Sequence, residues 1–222
     1  MTAVLQILWK DALIEWTARS RTVSLLSFAY TILLLFAFAV GADADTLRRH
    51  AGAYMWMSIL LCSTLLLERT MRIEFEAGAI ERLLLTPVPP AALFYGKALS
   101  NSVQLWVVGA FTIPLVVVIC DVSFVEHALW LLAAVALGGA GLAAPGTLYS
   151  AMTARLAGRQ LLLPLMLFPL IVPVLVAAVK TTSLVILGDP MDQAGSWLVL
   201  LACFNLVYWS LCGVLFGRVV DA

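Results

Sequence analysis

Six stretches of this sequence carry no charged residue at all: 23–40, 51–67, 98–120, 128–154, 161–179 and 196–217. Roughly 20 helical residues, at about 1.5 Å each, cover the ~30 Å hydrocarbon core of a bilayer. Lipid offers no partner to an open backbone N–H or C=O, so a chain crossing there must cross as a helix. The predicted fold is therefore all-α and polytopic. A single transmembrane domain over 1–222 has spans at about 22–41, 51–68, 98–120, 128–154, 161–179 and 196–217. The second run is the shortest and is expected to draw on its flanks. Composition agrees, with 63% hydrophobic and 12% charged residues, against about a quarter charged in soluble domains. With 13 basic and 13 acidic residues the net charge is zero, so no overall field draws the chain to nucleic acid.

Charge matters here by position. Short loops rich in Lys and Arg stay on the cytoplasmic side of a membrane. With the N-terminus inside, Lys10, Arg19, Arg21, Arg69, Arg72, Arg82, Lys97, Arg155, Arg159 and Arg218 are cytoplasmic, and only Arg48, Arg49 and Lys180 lie outside. The expected orientation is N-in and C-in. Ala37-Phe38-Ala39 resembles a signal-peptidase site, but the 18-residue run before Gly41 exceeds a usual signal core, and acids and tryptophans precede it. The first span is expected to remain in place.

Ahead of that span, Leu5, Leu8, Trp9, Ala12, Leu13 and Trp16 recur at helical spacing, with Gln6, Lys10, Asp11 and Glu15 largely elsewhere. This predicts an amphipathic helix over 3–17, lying in the cytoplasmic interface as an elbow; a plain extension of the first span is the alternative. The expected outer connections, 41–50, 121–127 and 180–195, are short. The cytoplasmic stretch 68–97 holds four basic and four acidic residues and is the one large feature expected to face water. Within it, Glu76 to Pro87 reads as a short surface helix stopped at Pro87, with Ile80, Leu83 and Leu84 on one side and Glu76, Glu81 and Arg82 free to pair with a partner's charges. A solvated linker resting on the bilayer is the alternative.

No energy source is visible in the chain. Gly96-Lys97 lacks the other residues of a phosphate loop, and no ionisable residue is expected deep in a span, where an ion-driven carrier would need one. No HExxH, no GxSxG with a histidine and no intramembrane aspartate cluster points to an enzyme. Cys62, Cys120, Cys203 and Cys212 form no CxxC and read as small apolar residues. His50 and His127, both expected at outer span ends, are the two conceivable haem-iron ligands, and simple tolerance of histidine at a polar interface is the plainer reading. No metal site is expected. A break at Pro145-Gly146 would allow two shorter helices in the long fourth run, and Pro164, Pro169 and Pro173 would kink the fifth; ordinary membrane-helix packing of these residues is the alternative. Ala136, Ala140 and Ala144, with Gly138, Gly139 and Gly141, offer a small-residue packing face.

Residues Glu76 to Pro87 resemble the acidic, Gly-containing, Leu-rich coupling helix, ending in Thr/Ser-Pro, of type-2 ABC transporter membrane subunits. Glu76, Gly78, Glu81, Leu83, Pro87 and Lys97, followed by Gly141, Ala144-Pro145-Gly146, Pro164, Pro169 and Pro173, resemble more specifically the haem exporter protein B family of cytochrome c maturation permeases. That resemblance implies a homodimeric permease in the bacterial inner membrane. Its partners would be a separate ATPase subunit that binds the ATP, a haem-handling membrane protein and a small accessory subunit. ATPase coupling would fall to Glu76, Gly78, Ile80, Glu81, Arg82, Leu83, Leu84, Thr86 and Pro87. Haem is implied as a transported or partner-held ligand rather than a resident cofactor. The chain lacks a tryptophan-rich haem-binding loop, so release of a haem-loaded periplasmic chaperone stands beside haem export as the implied role. A type-2 permease for a drug, lipid or glycan, and a non-transporting scaffold, remain the alternatives.

Overall fold

A computed structural model describes residues 2–17, 19–41, 43–76, 89–122, 127–154 and 162–221. These form helices α1 (Thr2–Thr17), α2 (Arg19–Val40), α3 (Ala44–Glu76), α4 (Pro90–Cys120), α5 (Ala128–Ala154), α6 (Leu162–Leu187) and α7 (Ala194–Asp221). Six of them, α2 to α7, are long and apolar enough to cross a membrane.

The helices outrun the charge-free runs. Helix α3 continues for 33 residues, past Glu68, Arg69 and Arg72 to Glu76, and α6 carries Lys180 within it before ending at Leu187. A charged residue ends an apolar window, but it does not end a helix once the chain has reached headgroups and water. The stretches expected as loops at 68–97 and 180–195 are thus partly helical, and the connections are correspondingly short.

Helix α5 lies at the centre and packs against α3, α4, α6 and α7. Its small residues make this close approach feasible. A Cβ at Gly138 would overlap the fully buried indole of Trp56, and one at Gly146 would overlap Leu67. Gly141 is similarly covered, since a Cβ there would come within 3.0 Å of Val174. In lipid, where apolar surface gains nothing by leaving the solvent, such knob-in-notch contacts are the main source of helix association. The Trp56 indole also donates to Thr182 Oγ1 at 3.0 Å, joining α3 to α6.

Backbone carbonyls of α5 accept further, directional bonds from side chains of neighbouring helices. Trp106 of α4 donates to Ala136 O at 2.9 Å, Trp209 of α7 to Ala140 O at 3.2 Å, and Asn205 of α7 to Leu137 O at 2.9 Å. The face expected to bring helices together by smallness alone therefore also accepts side-chain hydrogen bonds.

The expected break at Pro145-Gly146 is absent, and α5 is one continuous helix. A proline inside a membrane helix removes one N–H donor, and nearby hydroxyls and tight neighbours compensate. The carbonyl left without its i+4 donor is that of Gly141, and the packing of Trp56 on Gly138, Val174 on Gly141 and Leu67 on Gly146 encloses the helix on either side of the proline. Helix α6 also runs on through Pro169 and Pro173. Pro164 falls in its first turn, where a missing N–H interrupts no intrahelical bond.

Candidate functional site at the end shared by the chain termini

Two ends of the bundle differ in kind. One end gathers α1, the close of α3, the start of α4, and the closes of α5 and α7. The other gathers the starts of α3, α5 and α7 with the closes of α4 and α6.

At the first end, α4 begins with Pro89 in extended geometry and Pro90 at its first position, the place where a helix loses nothing to proline. Two turns further on, Gly96 and Lys97 meet α1. A Cβ at Gly96 would stand 2.8 Å from Ile7 Cγ2, so the missing side chain is the socket into which Ile7 fits. Lys97, only 3% exposed, sets its Nζ 2.8 Å from Oδ2 and 3.1 Å from Oδ1 of Asp11, itself 8% exposed. Lys10 approaches the same carboxylate at 3.5 Å from a more exposed position.

Lys97 therefore corrects one expectation: it is not a loop residue facing water but a buried residue near the start of α4. The orientation of α1 follows. Ile7 and Asp11, one turn apart, face α4, while Leu5, Trp9 and Leu13 stay exposed along the opposite side. Those three belong to the apolar stripe expected from the sequence.

One further turn along α4, the buried Asn101 side chain joins three helices. Its Oδ1 accepts from Thr70 Oγ1 of α3 at 3.0 Å, and its Nδ2 donates to Thr147 Oγ1 of α5 at 2.9 Å. Around it, Leu93, Phe94, Ala98, Ala144, Leu148, Ala151, Cys212 and Phe216 form a second apolar cluster. Tyr95 stacks on Trp209 of α7 with ring centres 6.2 Å apart.

Between these anchors runs the predicted coupling segment. Glu76 is the last residue of α3. Gly78, Ile80, Glu81, Arg82, Leu83, Leu84, Thr86 and Pro87 lie outside the described residues. The structure thus gives the two mounts of the segment, Thr70 on one side and Lys97 with Asn101 on the other, and Asn101 bridges them. Sequence reasoning missed Asp11, Gly96 and Asn101. The available signal was chemical: a lone carboxylate in line with Val4, Ile7 and Leu8, and a lone lysine directly before an apolar run.

At the opposite end the charged pair lies at the surface. Arg48 reaches Asp121, with Nη2 2.7 Å from the carbonyl oxygen and 3.3 Å from Oδ2. Asp43 caps α3 by accepting from Thr46 Oγ1 at 2.6 Å and from its amide at 3.3 Å, and these bonds hold its carboxyl below the usual 3.8. Asp189 is lowered likewise by backbone N–H groups of Gln193 and Ala194 at the start of α7. His50 turns its Nδ1 back to Thr46 O at 2.9 Å, and both it and His127 are exposed. Among the described residues no group of three His, Cys, Asp or Glu could hold a metal ion, and the four cysteines are unpaired.

Six apolar helices packed about the glycine-notched α5, with a polar knot at one end, define a multi-pass membrane protein with the further helix α1 docked on α4. The chain belongs to the CcmB protein family, whose sequence profile matches residues 2–220. It is 32% identical over 151 residues to "Heme exporter protein B" of Rhodobacter capsulatus, covering 68% of this chain and 69% of that one. The protein of the same name from Paracoccus denitrificans is 30% identical over 187 residues, 84% of each chain. That from Bradyrhizobium diazoefficiens is 27% identical over 205 residues, 91% of this chain and 90% of the relative.

Proposed function

We propose that this chain is the membrane permease subunit of an ABC-type complex for haem export and cytochrome c maturation, set in a bacterial inner membrane with both termini cytoplasmic. ATP is bound and hydrolysed by a separate subunit. Residues 76–87 seat on that ATPase, and two copies of the chain form the working unit beside a haem-handling membrane protein and a small accessory subunit. The observation that carries the reading is Asn101. It ties the helix entering the 77–88 segment to the helix leaving it, so a push on the segment reaches α3, α4 and α5 together. The relatives' name, heme exporter protein B, suggests the cargo class. The distribution of basic residues supports the orientation.

Within one copy the centre is filled: Trp56 occupies the Gly138 notch and Leu67 the Gly146 notch. Any passage of haem is thereby left to the seam between two copies, and release of the haem-loaded chaperone driven by ATP hydrolysis is the other output of the same complex. The testing experiment is co-purification with the ATPase subunit from membranes, comparing wild type with the double substitution Glu76→Lys, Glu81→Lys. The wild type should retain the ATPase and its activity and the double variant should lose both, along with haem-stained cytochrome c. An ATPase held equally by both would sink the coupling role of this segment.

A further inference from the structure

We infer that the Asp11–Lys97 ion pair makes α1 a working part of the coupling route, locked in register to the start of α4 so that the two move as one body. The inference rests on the coupling reading above and assigns a positioning role that the resemblance does not give to Asp11.

The argument begins with what a buried ion pair is good for. Desolvating two charges offsets most of their attraction, and apolar side chains of similar size would hold two helices at least as firmly. What an apolar contact lacks is register, because one greasy face slides over another at small cost. Charges set at 2.8 Å in a water-poor contact cannot slide, since each step apart separates opposite charges in a low dielectric. The best-attested use of such groups is fixing the alignment of helices.

The surroundings add direction. Ile7 sits in the Gly96 notch one turn from Asp11, so shape and charge specify the same register. Asn101 lies one turn beyond Lys97 on α4 and binds Thr70 and Thr147. A displacement delivered at residues 76–87 therefore reaches α4 between two fixed points. Through Lys97 it reaches α1, and through α1 the exposed Leu5, Trp9 and Leu13 stripe. On this account α1 is driven along the membrane surface with α4 and does not float beside it.

The test uses the whole complex, purified with its ATPase, and cells in which haem-stained cytochrome c reports output. Asp11→Asn, Lys97→Asp and the exchange Asp11→Lys with Lys97→Asp are compared at equal protein level. Each single change should leave the ATPase bound and hydrolysing near the wild-type rate while cytochrome c falls by about tenfold, and the exchange should recover at least about half of it. A purely structural role would instead lower hydrolysis and output together. Output unchanged in the single variants, or no better in the exchange than in either single variant, would overturn the inference.

A second measurement does not depend on those variants. Spin labels at the exposed Gln6 and Val103, with Cys203 replaced by alanine, should report the same α1–α4 distance with and without trapped nucleotide. A nucleotide-dependent distance would mean that α1 parts from α4, and the inference fails. Loss of the ATPase from the wild-type complex would strike the coupling reading itself, and would be seen before any of these comparisons is made.

Discussion

The two ends of the bundle each carry an aspartate held by a basic side chain from another helix, and the resemblance stops there. Asp11 and Lys97 have side chains only 9% and 4% exposed, whereas Arg48 and Asp121 are 46% and 93% exposed. Water and salt screen the second pair and leave the first nearly unscreened. A pairing of opposite charges is thus a fixed joint at one end and a loose surface contact at the other. That contrast matches the proposed division of labour, in which force enters at the end where helices are pinned.

The largest effect should come from dividing the buried pair. Lys97→Met removes the cation 2.8 Å from Asp11 and leaves, among the described residues, Lys10 at 3.5 Å. Breaking a buried pair costs about 3–5 kcal/mol, and the Lys10 contact places the expected loss near the lower bound. Thermal inactivation of the detergent-purified protein measures it, and a loss no greater than for the exposed pair would remove the contrast. Next in size is Gly138→Val, which drives a branched side chain into the Trp56 ring and should cost roughly 1–3 kcal/mol. Quenching of the Trp56 signal on a background lacking the other tryptophans reports whether the indole is displaced.

Smallest is the exposed pair. Arg48→Ala should shift stability by less than about 1 kcal/mol, and less still in high salt. The same end has an acid sensitivity of known sign. Asp43 and Asp189 have carboxyls lowered by the hydrogen bonds they accept, so their contribution is complete above the ordinary 3.8 and is lost as pH falls below it through the lowered values. Asp43→Asn should flatten the fall in stability measured through that acid range.

How much of this was legible in the sequence depends on the range of the interaction. The six crossings follow from local apolar runs, because the bilayer imposes one length and one backbone solution on every segment. Helix ends were misjudged where Glu68 to Glu76 and Lys180 interrupted an apolar window without interrupting backbone hydrogen bonding. Pro145 misled for a related reason: a residue that breaks helices in water is carried by its neighbours in lipid. The glycines of α5 were readable as packing residues, yet nothing local named Trp56 or Leu67 as what fills them. Asp11, Lys97 and Asn101 were the least visible. Their partners lie 86, 86 and 46 or 31 positions away, and no periodicity reports a pairing across such a distance. Of the segment proposed for coupling, Glu76 at the end of α3 is described, and residues 77–87 lie outside the described residues.

The pinning of α1 also has a consequence for how the protein is made. Asp11 leaves the ribosome 86 positions ahead of the lysine that neutralises it. At about 5–20 residues per second that interval is roughly 4 to 17 s. During it the first two spans enter the membrane while α1 waits at the surface, its carboxylate still hydrated. The first helix to be synthesised therefore cannot be seated before α4 has emerged, and its docking marks the arrival of α4 in its proper place.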